Sequence, residues 1–111
     1  MNEGVKTIIY PVQDLAKAKT LYGRLLGVEP TADAAYYVGY DLGDQHIGLD
    51  PNGHRHGPTA YHHVDDIEGT MTALLEAGAE TVQDVKNVGG GKRIAVLKDP
   101  DGNIIGLTQN S

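Results

Sequence analysis

Cysteine is absent from this 111-residue chain, and so are tryptophan and phenylalanine. The first absence removes disulfides, thiolate metal sites and a cysteine nucleophile together. The second leaves six tyrosines as the whole aromatic supply, so stacking in any pocket falls to Tyr or His. No apolar run approaches the roughly 20 residues that a membrane span needs. Met1-Asn2-Glu3-Gly4 has no basic segment leading into an apolar stretch, so no signal peptide is expected and a cytoplasmic setting is. Positive charge is also scarce: nine Lys and Arg stand against fifteen Asp and Glu, for a formal net charge of −6. Such a field repels a phosphate backbone, so nucleic acid is not an expected partner, whereas a neutral or cationic small molecule is.

What is present fits a globular protein, with 40% hydrophobic and 22% charged residues. The length suits one domain, or two half-domains packed closely together. An internal repeat supports the second form. Thr7, Val12, Asp14 and Leu15 match Thr59, Val64, Asp66 and Ile67 at a constant offset of 52 residues. Near the end of each half, Ile47-Gly48-Leu49 matches Ile105-Gly106-Leu107 at an offset of 58. The second half is therefore six residues longer inside, and the loop Gly89-Gly90-Gly91 is the natural place for them.

Each half reads as a strand, a helix and further strands. Val5–Val12 is rich in β-branched residues and leads to Asp14, a good N-cap. Leu15, Ala18, Tyr22, Leu25 and Leu26 then follow helical spacing, with Gly27 placed to end the helix. In the second half Asp65 or Asp66 caps a helix carrying Ile67, Met71, Leu74 and Leu75, which Gly78 ends. Tyr36–Leu42 and His46–Leu49 predict a hairpin across Gly43-Asp44. Arg93–Lys98 and Asn103–Thr108 predict another across Asp99-Pro100-Asp101-Gly102. A short strand is expected near Thr81–Val85, and its counterpart near Val28–Thr31 is less distinct. The Pro- and Gly-rich stretch 51–58 reads as a linker. The expected organisation is thus a first module at 1–50, the linker at 51–58, and a second module at 59–111.

The segments VQDLAKAKTLYGRLLGV, VDDIEGTMTALLEAGAE and GGGKRIAVLKDPDGNIIGLTQ, in this order over nearly the whole chain, resemble the vicinal oxygen chelate superfamily, which includes glyoxalases, bleomycin resistance proteins and extradiol dioxygenases. The DPDGN turn before an apolar strand is the most specific of these pieces. The resemblance implies an α+β fold of two βαβββ modules in tandem, their curved mixed sheets enclosing a cavity, and often a homodimer. In metal-using members four side chains on the first and last strands of the modules hold the ion. By register those places fall on Thr7, Gly48, Thr59 and Gly106. Glycine has no donor and a Thr hydroxyl is a poor ligand for a transition metal. The resemblance is therefore to the branch without metal ligands, with no metal and no cofactor expected, and with a small molecule sequestered by enclosure.

Period-two alternation adds candidates on the same faces as those four positions. Ile9 joins Thr7, His46 joins Gly48, and Tyr61 and His63 follow Thr59. Tyr37 and Asp41 share one face of their strand, opposite Tyr36, Val38, Tyr40 and Leu42; Tyr37 lines either the pocket or a dimer contact. The expected ligand-binding set is Thr7, Ile9, Tyr37, His46, Gly48, Thr59, Tyr61, His63 and Gly106. Three alternatives stay open: a relocated metal site on His46 and His63 with Asp50 or Asp65, metal-free acid–base catalysis by His63 with Tyr61, and a module whose cavity is vestigial. His54-Arg55-His56 is a weak metal-binding pattern. The glycine loop before Lys92-Arg93 leads into a strand rather than a helix N-terminus, which favours a mobile loop or lid over a phosphate cradle.

Overall fold

A computed structural model describes residues 2–52 and 57–110. The elements are β1 (Asn2–Pro11), α1 (Leu15–Leu26), β2 (Ala32–Ala34), β3 (Tyr37–Leu42) and β4 (Gln45–Asp50), then β5 (Thr59–Val64), α2 (Ile67–Glu76), β6 (Glu80–Asn87), β7 (Arg93–Lys98) and β8 (Ile104–Gln109). This is the α+β pattern βαβββ, written twice. Contacts divide the chain into two compact units, Lys6–Thr59 and Met1–Val5 with Ala60–Ser111. The opening residues thus group with the second half of the sequence.

In the Lys6–Thr59 unit the strand order is β2-β3-β4-β1. β1 runs parallel to β4, and the other pairs are antiparallel. Alternation sends one side of each strand toward α1: Tyr10 and Val12, Val38, Tyr40 and Leu42, and Ile47 and Leu49 pack with Leu15, Ala18, Tyr22 and Leu26. Removing that apolar surface from water is the unit's main stabilising term. Asp14 accepts a hydrogen bond from the Lys17 amide and caps α1, while Gly27 at φ 71° closes it. Leu25, expected on the inner face, is 70% exposed instead. The stripe Leu15–Ala18–Tyr22–Leu26 already fills the width that the sheet offers. The strand sought near Val28–Thr31 begins later, at Ala32. Pro30 has no amide to give a ladder, and pairing starts with the Thr31 N–H donated to the Gly39 carbonyl at 2.8 Å.

In the other unit the order is β5-β8-β7-β6, with β5 parallel to β8 and the rest antiparallel. Val64, Ile67, Met71, Ala95, Leu97 and Leu107 form its core, with Leu74 and Ile105 against it. Leu75 turns outward. Asp66, rather than Asp65, caps α2 by accepting from the Gly69 amide at 3.0 Å. Gln109 Oε1 also accepts from the Ile67 amide at 2.7 Å, tying β8 to the helix start. No helix among the described residues is long and apolar enough to cross a membrane.

Candidate functional site

Two glycines lie side by side across the β3–β4 ladder of the Lys6–Thr59 unit. Gly39 pairs with Gly48, and Ile9 on β1 is Gly48's other neighbour. Their face of the sheet is the one turned away from α1. In the row beside them Asp41 pairs with His46, and His46 with Thr7. Strand alternation also brings Tyr37 to this face. Side chains on either side would normally meet over positions 39 and 48, but glycine leaves that floor bare. The rings of Tyr37 and His46 lie across it, nearly parallel at 11°, with centroids 6.0 Å apart.

A side chain at either glycine would force its neighbours to move. A Cβ on Gly39 would stand 2.6 Å from His46 Cε1 and 2.9 Å from Nε2. One on Gly48 would collide with the Tyr37 hydroxyl, and would be 2.5 Å from Ile9 Cδ1. The hydroxyl of Tyr37, carried on β3, thus crowds the space that a side chain at position 48 of β4 would need.

Hydrogen bonds link these groups in a line. Tyr37 Oη is 2.5 Å from His46 Nε2, and His46 Nδ1 is 2.8 Å from Asp41 Oδ1. The second oxygen of Asp41 accepts from the Thr31 hydroxyl at 2.5 Å. The His46 side chain is 27% exposed and that of Asp41 49%, so both reach solvent. Asp41, Thr31 and Gly39 were not among the expected site residues. Face alternation had already put Asp41 beside Tyr37, and the β3–β4 register would have added Gly39. Thr31 lies on no strand, so periodicity gave no signal for it.

The other expected residues fall in several places. Thr7 is buried on β1 and Thr59 is buried at the start of β5. Tyr61, His63 and Gly106 belong to the Ala60–Ser111 unit. There Tyr61 pairs with Gly106 across the parallel ladder, and His63 with Thr108. A Cβ on Gly106 would lie 2.7 Å from Tyr61 Cδ1 and 2.9 Å from the Ala60 carbonyl oxygen. Tyr61 is 7% exposed, which limits it to a wall rather than a reaching group. Ile9–Gly48 and Tyr61–Gly106 are the same pair in the two repeats. The tyrosine covers the glycine from the neighbouring first strand in one repeat, and from the third strand in the other.

The four positions that the family resemblance assigns to metal ligands do not fit an ion. Two are glycines, and at one of them the space beside the backbone is filled by a phenol. Among the described residues no three His, Cys, Asp or Glu come together. His46 has both ring nitrogens engaged, so ligation by either would break a bond to Tyr37 or Asp41. Asp50 Oδ1 accepts from the Asn52 amide at 2.8 Å. His54-Arg55-His56 lies outside the described residues.

The glycine loop joins β6 to β7 as a tight hairpin turn. Gly89, Gly90 and Gly91 all have positive φ, and the Val88 and Lys92 amides donate to the Lys92 and Gly89 carbonyls. A separate open hollow of about 680 Å³ on α1 is lined by Ala16, Lys17, Thr20, Leu21 and Arg24. It is the outward face of one helix, without a carboxylate or imidazole.

Comparison with known proteins agrees with the fold. The family described as Glyoxalase/Bleomycin resistance protein/Dioxygenase superfamily matches residues 4–107. No curated protein matches the chain in sequence. Among solved structures, a member of the same superfamily from Vibrio splendidus 12B01 is similar with a TM-score of 0.73 at 16% identity, covering 100% of both chains. Methylmalonyl-CoA epimerase from Mycobacterium tuberculosis is similar at 0.73 and 19% identity, over 99% of this chain and 89% of that one. The Mn(II)-bound glyoxalase from Novosphingobium aromaticivorans is similar at 0.74 and 15% identity, over 99% of this chain but 40% of its own. At such identities the likeness to these structures speaks for the fold alone. With its two βαβββ repeats and a family match over residues 4–107, the chain belongs to the glyoxalase/bleomycin resistance protein/dioxygenase superfamily.

Proposed function

We propose that this protein binds a small organic molecule without a divalent metal, on the sheet face that carries Tyr37 and His46. One observation carries the proposal. At Gly48, a position the family resemblance assigns to a metal ligand, there is no side-chain donor, and the Tyr37 hydroxyl crowds the space beside it while bonded to His46, which in turn contacts Asp41. A phenol and an imidazole can orient a ligand by hydrogen bonding and by ring contact. The net charge of −6 favours neutral or cationic molecules and disfavours nucleic acid.

A second reading has support of its own. Carboxylate, imidazole and phenol in a line can move a proton as well as hold a ligand, so metal-free acid–base catalysis is the alternative. Its groups would be Tyr37, His46 and Asp41 in place of the His63–Tyr61 pair.

The test is elemental analysis of untagged protein purified without added metal or chelator. A thermal-shift screen of neutral and cationic aromatic compounds, with and without EDTA, completes it. The expected result is metal far below one ion per chain and stabilisation by a bound compound that EDTA leaves unchanged. Stoichiometric metal, or stabilisation that EDTA abolishes, would overturn the proposal. A stabilising compound that is consumed on incubation selects the catalytic reading.

A further inference from the structure

We propose that the outward face of α1 docks antiparallel on the outward face of α2 in a second copy of this chain, with Lys17 of one copy against Glu76 of the other. The inference goes beyond the binding reading and does not depend on it.

The two helices are unlike in charge. α1 carries Lys17, Lys19 and Arg24 and no acid, whereas α2 carries Glu68 and Glu76 and no base. Asp33 holds Lys19, and Arg93 holds Glu68. Among the described residues, Lys17, Arg24 and Glu76 make no ion pair.

Two of these three charges sit at the helix end that disfavours them. Lys17 is in the first turn of α1, which has no acid, at the positive end of the helix dipole. The Asp14 cap offsets only part of that conflict. Glu76 is in the last turn of α2, which has no base, at the negative end. An antiparallel partner relieves both at once. It lays the start of α1 beside the end of α2, so that the ammonium meets the carboxylate.

The apolar surface follows the same register. Leu21 and Leu25 lie one turn apart on the face of Lys17, and are 60% and 70% exposed. The outward face of α2 is low, with Gly69, Thr72 and Ala73 all exposed. With Lys17 at Glu76, equal steps along antiparallel helices put Leu21 over Thr72 and Ala73. Arg24 and Leu25 then lie over Glu68 and Gly69. Each run is about 12 Å long. Bulky side chains on one helix thus meet short ones on the other, as close packing of helices requires. One helix pair buries less than a standard interface, so association is weak, with a dissociation constant of about 0.1 mM.

Sedimentation equilibrium of the full chain, from about 10 μM to about 1 mM so as to bracket that constant, tests the contact. Lys17→Glu alone or Glu76→Lys alone sets like charges together and should weaken association at least about tenfold. An equimolar mixture of the two variants should associate like the parent, because each then supplies the charge its partner lacks. Neither exchange should lower the melting temperature of dilute protein, since each gives its helix end the charge it favours. Leu21→Gln, at an exposed position, should weaken association about tenfold by removing apolar contact. A parent that stays monomeric, association that either exchange leaves unchanged, or a mixture no better than its components overturns the inference. So does a parent that binds phosphatidylglycerol vesicles through Leu21 in place of a second copy.

Discussion

A Cβ on Gly48 would collide with the hydroxyl of Tyr37. The two residues sit on neighbouring strands of one antiparallel pair, and neither could keep its place if position 48 carried a side chain. Gly48→Ala should therefore cost about 1–3 kcal/mol, the usual range for forcing a methyl into a filled site. Urea unfolding measures it. A cost below about 0.5 kcal/mol, the size of a neutral surface change, would show that Tyr37 swings aside easily and is not held.

Gly106→Ala should be the costlier of the two. At Gly48 the obstacles are the ends of side chains, a phenol oxygen and Ile9 Cδ1, which can rotate. At Gly106 they are the root of the Tyr61 ring and the backbone carbonyl of Ala60, 2.9 Å from the new carbon. Backbone within a ladder cannot yield without breaking hydrogen bonds. Parallel unfolding curves of the two variants test the order, and a cheaper Gly106→Ala would contradict it.

Tyr40 gives a prediction in alkali. It is fully buried under α1 and donates a hydrogen bond to the Lys19 carbonyl at 2.7 Å. Burial pushes its phenol above the ordinary range, with Lys19 opposing the shift. Because the folded state holds the proton more tightly, its contribution is complete below the ordinary tyrosine value of about 10 and is lost as pH rises through the raised one. Tyr40→Phe should cost about 1 kcal/mol at neutral pH, from the lost hydrogen bond. It should also flatten the fall of stability in alkali. Equal alkaline slopes in the two proteins would show that another group governs that limb.

Acid tests the DPDGN turn. Asp99 accepts from the Asn103 side chain at 2.9 Å and from the amides of Asp101 and Asn103. Those bonds, the Asn103 side chain first, hold its carboxyl below the usual range. A lowered carboxyl contributes above its unfolded value of about 3.9 and ceases to as pH falls through the folded one. Asp99→Asn should therefore lose less stability on acidification than the parent protein. The Asp99 carbon resonance followed by NMR should titrate below the ordinary aspartate range. A midpoint in the normal range contradicts the account.

Much of the fold was legible because its signals are local. Asp14 and Gly27 bound α1 as caps do, and alternation along β3 separated Val38 and Tyr40 from Tyr37 and Asp41, without saying which face meets the helix. The repeat offset supplied the second unit from the first. Helix faces were read too wide, which is why Leu25 and Leu75 were expected inside; sequence gives the period but not the width of the sheet beneath. The candidate site was harder to see. Tyr37 and His46 could be put on faces one at a time, but their meeting depends on the hairpin register and on two adjacent glycines. Thr31 enters through an irregular segment after Pro30. No period describes such a segment.

The claim on which the rest depends is that this face recognises its ligand through a phenol rather than an ion. Calorimetric titration of Mn²⁺ and Zn²⁺ into chelator-treated protein tests it most directly. The account predicts binding weaker than about 1 mM for both ions, less than ~4 kcal/mol of binding free energy, and no shift of the Tyr37 or His46 resonances. One ion bound per chain at micromolar affinity, with those resonances moved, would contradict it.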